Sequence, residues 1–156
     1  MAALALGSVV ACAAPPAAPT SKPLTFIAEV VASADRLPES DPESHCSGTV
    51  TVTLDPTPKP PLNVASARFD LSLNGCATDS VITDVHVHKG SESNLAIAST
   101  GSLALTNGGG PGMLTSLSVS PKLIDEIVSN TTAFYVNLHS KRHPNGFMRG
   151  DIRRKE

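Results

Sequence analysis

The sequence contains no tryptophan, one tyrosine and four phenylalanines, so it has little with which to stack nucleic-acid bases or build an aromatic cage. Charge is scarce as well: 17% of residues are Asp, Glu, Lys or Arg, against about 25% in an average soluble domain. A net charge of −2 and an isoelectric point near 6.2 withhold the basic footprint of a nucleic-acid binder, and no nucleic-acid partner is expected. No apolar run reaches the ~20 residues of a membrane-spanning helix. Serines are plentiful, yet no Gly-x-Ser-x-Gly elbow nominates a hydrolytic nucleophile.

What remains is a 156-residue chain with 31 serines and threonines, long enough for one domain with a real core. Its first 14 residues are small and apolar and suit the h-region of an export signal, although no Lys or Arg precedes Lys22. Two processing routes are open. Ala11-Cys12-Ala13 offers a small-x-small cleavage site, and Val9-Val10-Ala11-Cys12 resembles a lipobox, in which Cys12 would be lipidated and become the mature N-terminus. Residues 15–23 are a Pro/Ala-rich linker and 24–154 the folded unit. With Cys12 removed, Cys46 and Cys76 form an even pair, 30 residues apart and each beside a strand-like run. A disulfide in an oxidising compartment is expected, with two buried free thiols as the alternative. The chain is therefore read as extracytoplasmic: secreted, periplasmic or held at the envelope by an N-terminal lipid, its only link to a membrane.

Beyond Pro23 the hydrophobic period is mostly two. Val50, Val52 and Leu54 alternate with Thr49, Thr51 and Thr53, and Phe69, Leu71 and Leu73 repeat the pattern. Further strands are predicted at 24–33, 81–88, 95–105, 114–119, 133–139 and 147–153. Turn-forming stretches separate them at 55–61, 74–75, 89–90, 107–112 and 144–146. About eight short strands imply an all-β fold, an antiparallel β-sandwich or Greek-key-like barrel. One short helix near 121–129 interrupts it: Ser120 is a cap, Pro121 opens the first turn, and Leu123, Ile124, Ile127 and Val128 share a face.

Four of the five histidines fall in Asp84-Val-His-Val-His-Lys-Gly90 and Tyr135-Val-Asn-Leu-His-Ser-Lys-Arg-His143. On a strand, His86 and His88 share one face while Val85 and Val87 take the core face. In the second motif Phe134, Val136 and Leu138 point inward, leaving Tyr135, Asn137 and His139 outside. If the two strands are neighbours, three imidazoles meet on an outer polar patch. Neutral imidazole suits copper or zinc, and Asp84 or His143 could complete or orient such a set. The competing reading is a structural network in which these rings hydrogen-bond across strands. His45, in the acidic Pro-rich loop 38–43 and beyond, is read as solvated. Arg149, Arg153, Arg154 and Lys155 are read as a solvated strand edge. Asn130-Thr131-Thr132 is a glycosylation sequon, meaningful only in a eukaryotic host.

Taken in order, these features resemble a known family. Phe26-Ile-Ala-Glu-Val30, Ser47-Gly-Thr-Val-Thr-Val-Thr-Leu54, Val85-His-Val-His-Lys-Gly90, the Ser-Pro-led helix and the closing 134–152 segment are similar to the CHRD domain. That chordin-type module also occurs singly in exported bacterial proteins. Its most specific part here is Tyr-Val-Asn-x-His followed by Pro-x-Gly-x-x-Arg-Gly. The resemblance implies an extracytoplasmic β-sandwich-like domain and supplies no enzymatic activity. More locally, Val85-His-Val-His88 resembles the copper-binding strand of Cu/Zn superoxide dismutases, but the later ligands of that family are absent, so dismutase activity is not implied. The leading expectation is a binding or structural module for a protein or envelope component. The alternative is a copper- or zinc-binding protein using His86, His88 and His139. A metal-dependent redox enzyme is the least favoured class.

Overall fold

The structure, a computed structural model, describes residues 22–33, 37–59 and 64–156. The signal or lipobox segment, Cys12 and nearly all of the linker lie outside the described residues. Among the described residues, nine antiparallel strands form a single sheet: β1 (Leu24–Ala32), β2 (Ser47–Lys59), β3 (Val64–Asn74), β4 (Val81–Lys89), β5 (Leu95–Ala98), β6 (Leu103–Ala104), β7 (Gly110–Val119), β8 (Phe134–Ser140) and β9 (Met148–Arg154). Their order is β5-β4-β8-β9-β1-β2-β3-β7, with β6 also on β4. A bridge between Thr100 and Thr115 brings the two ends together, so the sheet curls into a nearly closed barrel.

Parity decides what lies inside. Phe26 and Ala28 pair with Val52 and Val50, and these in turn with Phe69 and Leu71, across matched registers; all are buried, as are Val30 and Leu54. Val85 and Val87 join Val136 and Leu138 in the same core. Gly150 lets β9 approach β1 closely, since a Cβ there would fall 2.0 Å from the Glu29 carbonyl oxygen. Helix α1 (Pro121–Ser129) begins as the sequence predicts, the Ser120 side chain accepting from the Leu123 amide at 3.1 Å. It buries Ile124 and Ile127, and its Glu126 pairs with Lys89 at the far end of β4.

Four expectations need correction. The predicted 95–105 strand is two short ones, broken where Gly101 takes a φ of +91°. The 55–61 turn is still strand as far as Lys59, with a register shift between Asp55 and Lys59, where Pro56 and Pro58 fall. Strand β7 starts at Gly110, inside the predicted 107–112 turn. The basic C-terminal strand is not an edge, because β9 lies between β8 and β1; its arginines project outward, with Arg153 paired to Glu29.

A segment after β1 closes the end of the barrel opposite α1. Its described part, residues 37–46, is tied down by Cys46, which is disulfide-bonded to Cys76 with the Cα atoms 4.1 Å apart. The expected pairing is thus present.

Candidate metal centre

Strands β4 and β8 pair with Asp84 opposite His139, His86 opposite Asn137 and His88 opposite Tyr135. Because core valines alternate with histidines on β4, both imidazoles fall on the other face, where His139 arrives from β8. The ring centres of His86 and His139 are 4.2 Å apart, and those of His86 and His88 5.5 Å. One nitrogen from each of the three rings can be chosen so that all lie within 4.8 Å of one another. Nitrogens sharing a tetrahedral zinc at about 2.1 Å lie roughly 3.4 Å apart, so the nitrogens need close by at most about 1.4 Å to share an ion. The cluster could hold a metal.

This face is not the open exterior that parity alone suggests. His88, Asn137 and His139 are 5%, 5% and 8% exposed, and only His86 is partly open. The β8–β9 loop folds back over the strand. Gly146 is required there: its φ is +89°, and a Cβ would fall 2.4 Å from the Asn137 amide nitrogen. Beside the loop, the Arg149 guanidinium lies 3.5 Å from the Tyr135 ring centre, and Tyr135 stacks on His88 with ring centres 5.3 Å apart.

The electrostatics favour the neutral form of His86 and His88. Burial, and secondarily the neighbouring His139, pushes His86 down to about 4 from 6.5, against a weaker upward pull from Asp84. Burial, then His139 and Arg149, lowers His88. The tautomer of His139 follows from its partner. Its Nδ1 lies 2.8 Å from the Pro144 carbonyl, which can only accept, so Nδ1 carries a hydrogen, and in the neutral ring the lone pair is on Nε2. That Nε2 is buried and has no hydrogen-bond partner among the described residues, and the same holds for both nitrogens of His88.

Other predicted participants lie apart from the cluster. Asp84 faces His139 across the register but contributes no atom to the three-nitrogen set; it acts on His86 by charge. His143 lies beyond the strand, where the chain has turned, with Nε2 3.2 Å from Asp41 and 3.6 Å from Glu43. The Glu43 amide donates to the Asp41 carboxylate and, with His143, holds that acid below the ordinary range. His45 is exposed, as expected. Asn130 is exposed at the end of α1, its side-chain oxygen 3.4 Å from the Thr132 hydroxyl. Glu43 and the Pro144 carbonyl escaped the sequence reading. The only hint was an acidic stretch running straight into Cys46.

An all-β barrel in which β4 and β8 bring His-x-His and a third histidine together on one face defines a binding or structural module with a candidate metal centre. A family model, the CHRD domain, matches residues 27–152, and the chain belongs to that family. No curated protein is significantly similar to it.

Proposed function

We propose that this chain is an exported CHRD module whose binding function is directed at a transition-metal ion, copper or zinc, through His86, His88 and His139. One observation carries the reading: three ring nitrogens, both of His88 and Nε2 of His139, are buried without a hydrogen-bond partner among the described residues, within a cluster whose candidate ligand atoms lie within 4.8 Å of one another. Rings serving as structural glue would have their nitrogens paired, since an unpaired buried polar group costs about 1–3 kcal/mol. Among the described residues, only the His139–Pro144 contact has that character. Three imidazole nitrogen donors, with no carboxylate or thiolate in the set, favour copper or zinc over calcium or magnesium. Export is supported by the apolar N-terminus and by the Cys46–Cys76 disulfide.

Calorimetric titration of the full chain with Cu²⁺ and Zn²⁺ tests the reading. The expected result is tight 1:1 binding that a His86→Ala/His88→Ala variant loses. No binding by the parent, with a lowered melting temperature in the variant, would instead make the histidines structural and leave a protein or envelope component as the module's ligand. Superoxide consumption by the copper-loaded chain would be the signature of the redox-enzyme class.

A further inference from the structure

Behind His139 runs a relay of buried polar contacts leading away from the sheet face. The Pro144 carbonyl that fixes its tautomer belongs to the β8–β9 loop. The adjacent His143 amide donates to the Ser140 hydroxyl at 3.0 Å, next in sequence to His139 itself. Ser140 in turn donates to Oε2 of Glu43 at 2.6 Å, while Ser80, just before β4, donates to Oε1 at 2.5 Å. Glu43 is 0% exposed, and its carboxylate lies 3.6 Å from the His143 ring. A carboxylate buried so completely is tolerated only when its oxygens are well bonded, so these partners are firmly held. The segment bearing Glu43 is itself fixed, because the Cys46 amide donates to the Glu43 carbonyl and Cys46 is cross-linked to Cys76.

We infer that Glu43 is a positioning residue for the metal centre: it holds Ser140 and the β8–β9 loop, and thereby the Pro144 carbonyl that orients the His139 ring with Nε2 toward its neighbours. This rests on the metal-binding reading above. The Glu43 carboxylate is bonded to Ser80 and Ser140 and lies near His143, so it acts through Ser140 and the loop rather than on the rings directly. Outer partners of metal ligands typically contribute 10–100-fold to affinity; at this remove the expected loss on breaking the relay is about 10-fold.

The test uses the full chain carrying Glu43→Gln. A neutral amide of the same shape cannot accept from both serines without one facing its NH₂ group. Two readouts are taken: Zn²⁺ affinity by calorimetry, and solvent exchange of the His139 Nδ1 proton by NMR in metal-free protein. The expected result is about 10-fold weaker Zn²⁺ binding and a faster-exchanging Nδ1 proton. A Val52→Ala control, in the core on β2, should lower the melting temperature and leave both readouts unchanged. Parental affinity and a protected Nδ1 proton in Glu43→Gln would overturn the inference and leave the metal reading standing. So would equal losses in the Val52→Ala control. If the parent takes up neither zinc nor copper, the metal reading fails, and the proton readout still decides whether Glu43 orients the ring. Should Glu43→Gln not fold, Ser140→Ala interrupts the same relay, and the same two readouts decide.

Discussion

Replacing His88 by phenylalanine should make the metal-free protein more stable while removing one of the three nitrogen ligands and so weakening its metal site. His88 is 5% exposed, and neither ring nitrogen has a hydrogen-bond partner among the described residues. Leaving a donor or acceptor buried and unpaired costs about 1–3 kcal/mol, and phenylalanine removes both at once. It also keeps a ring to stack on Tyr135, which lies nearly parallel to His88 at 13°. The larger ring offsets part of the gain, since overpacking costs on the order of 1 kcal/mol or more. The net expectation is about 1 kcal/mol of added stability, or roughly 2–4 °C in melting temperature for a chain of this size. Urea denaturation of EDTA-treated parent and variant measures it, followed by Zn²⁺ titration of both. A loss of 1–3 kcal/mol in the metal-free variant would mean that the imidazole makes structural hydrogen bonds, and the reasoning from its unpaired nitrogens would be refuted.

Acid should weaken the metal-free fold in a defined window. His86 sits at about 4 in the folded chain against 6.5 when unconstrained, so the unfolded chain takes up its proton first. Its contribution is complete above about 6.5 and falls away as the pH drops toward 4; urea midpoints between pH 7.5 and 4, with NMR titration of the His86 ring, check both points. Asp41, shifted down from 3.8, loses its contribution only at still lower pH. Changing both Cys46 and Cys76 to serine opens a loop of 30 residues and should cost roughly 3–4 kcal/mol by the chain-entropy relation, read from urea unfolding against the oxidised parent. Gly146→Ala forces a Cβ against Asn137 at a φ of +89°, and should cost about 1 kcal/mol or more while weakening Zn²⁺ binding, because the displaced loop carries Pro144.

The barrel was largely legible because strand parity is a local rule. Val50, Val52 and Leu54, Phe69 and Leu71, and Val85 and Val87 declare their faces without reference to any partner, and the helix declares itself through Ser120 and Pro121. The same rule placed His86, His88 and His139 on one side, and the antiparallel pairing of β4 with β8 then brought them together. What parity could not convey was the covering of that side. The covering of Asn137 and His139 depends on a loop that reverses after Ser140 and packs through Pro144 and Gly146, a contact set by tertiary approach, while His88 lies under Tyr135. His143 was grouped with the cluster by its nearness in sequence, and that same reversal carries it to Asp41 and Glu43. Glu43 looked like one more acid in a polar loop; its burial arises from serines 37 and 97 residues further along the chain.

The most direct measurement of the central claim is the electron paramagnetic resonance spectrum of the full chain loaded with one equivalent of Cu²⁺. A single copper species with coupling to three imidazole nitrogens, reduced to two in His88→Phe, is the predicted result. A spectrum of weakly held aqueous copper, or one that His88→Phe leaves unchanged, would contradict it.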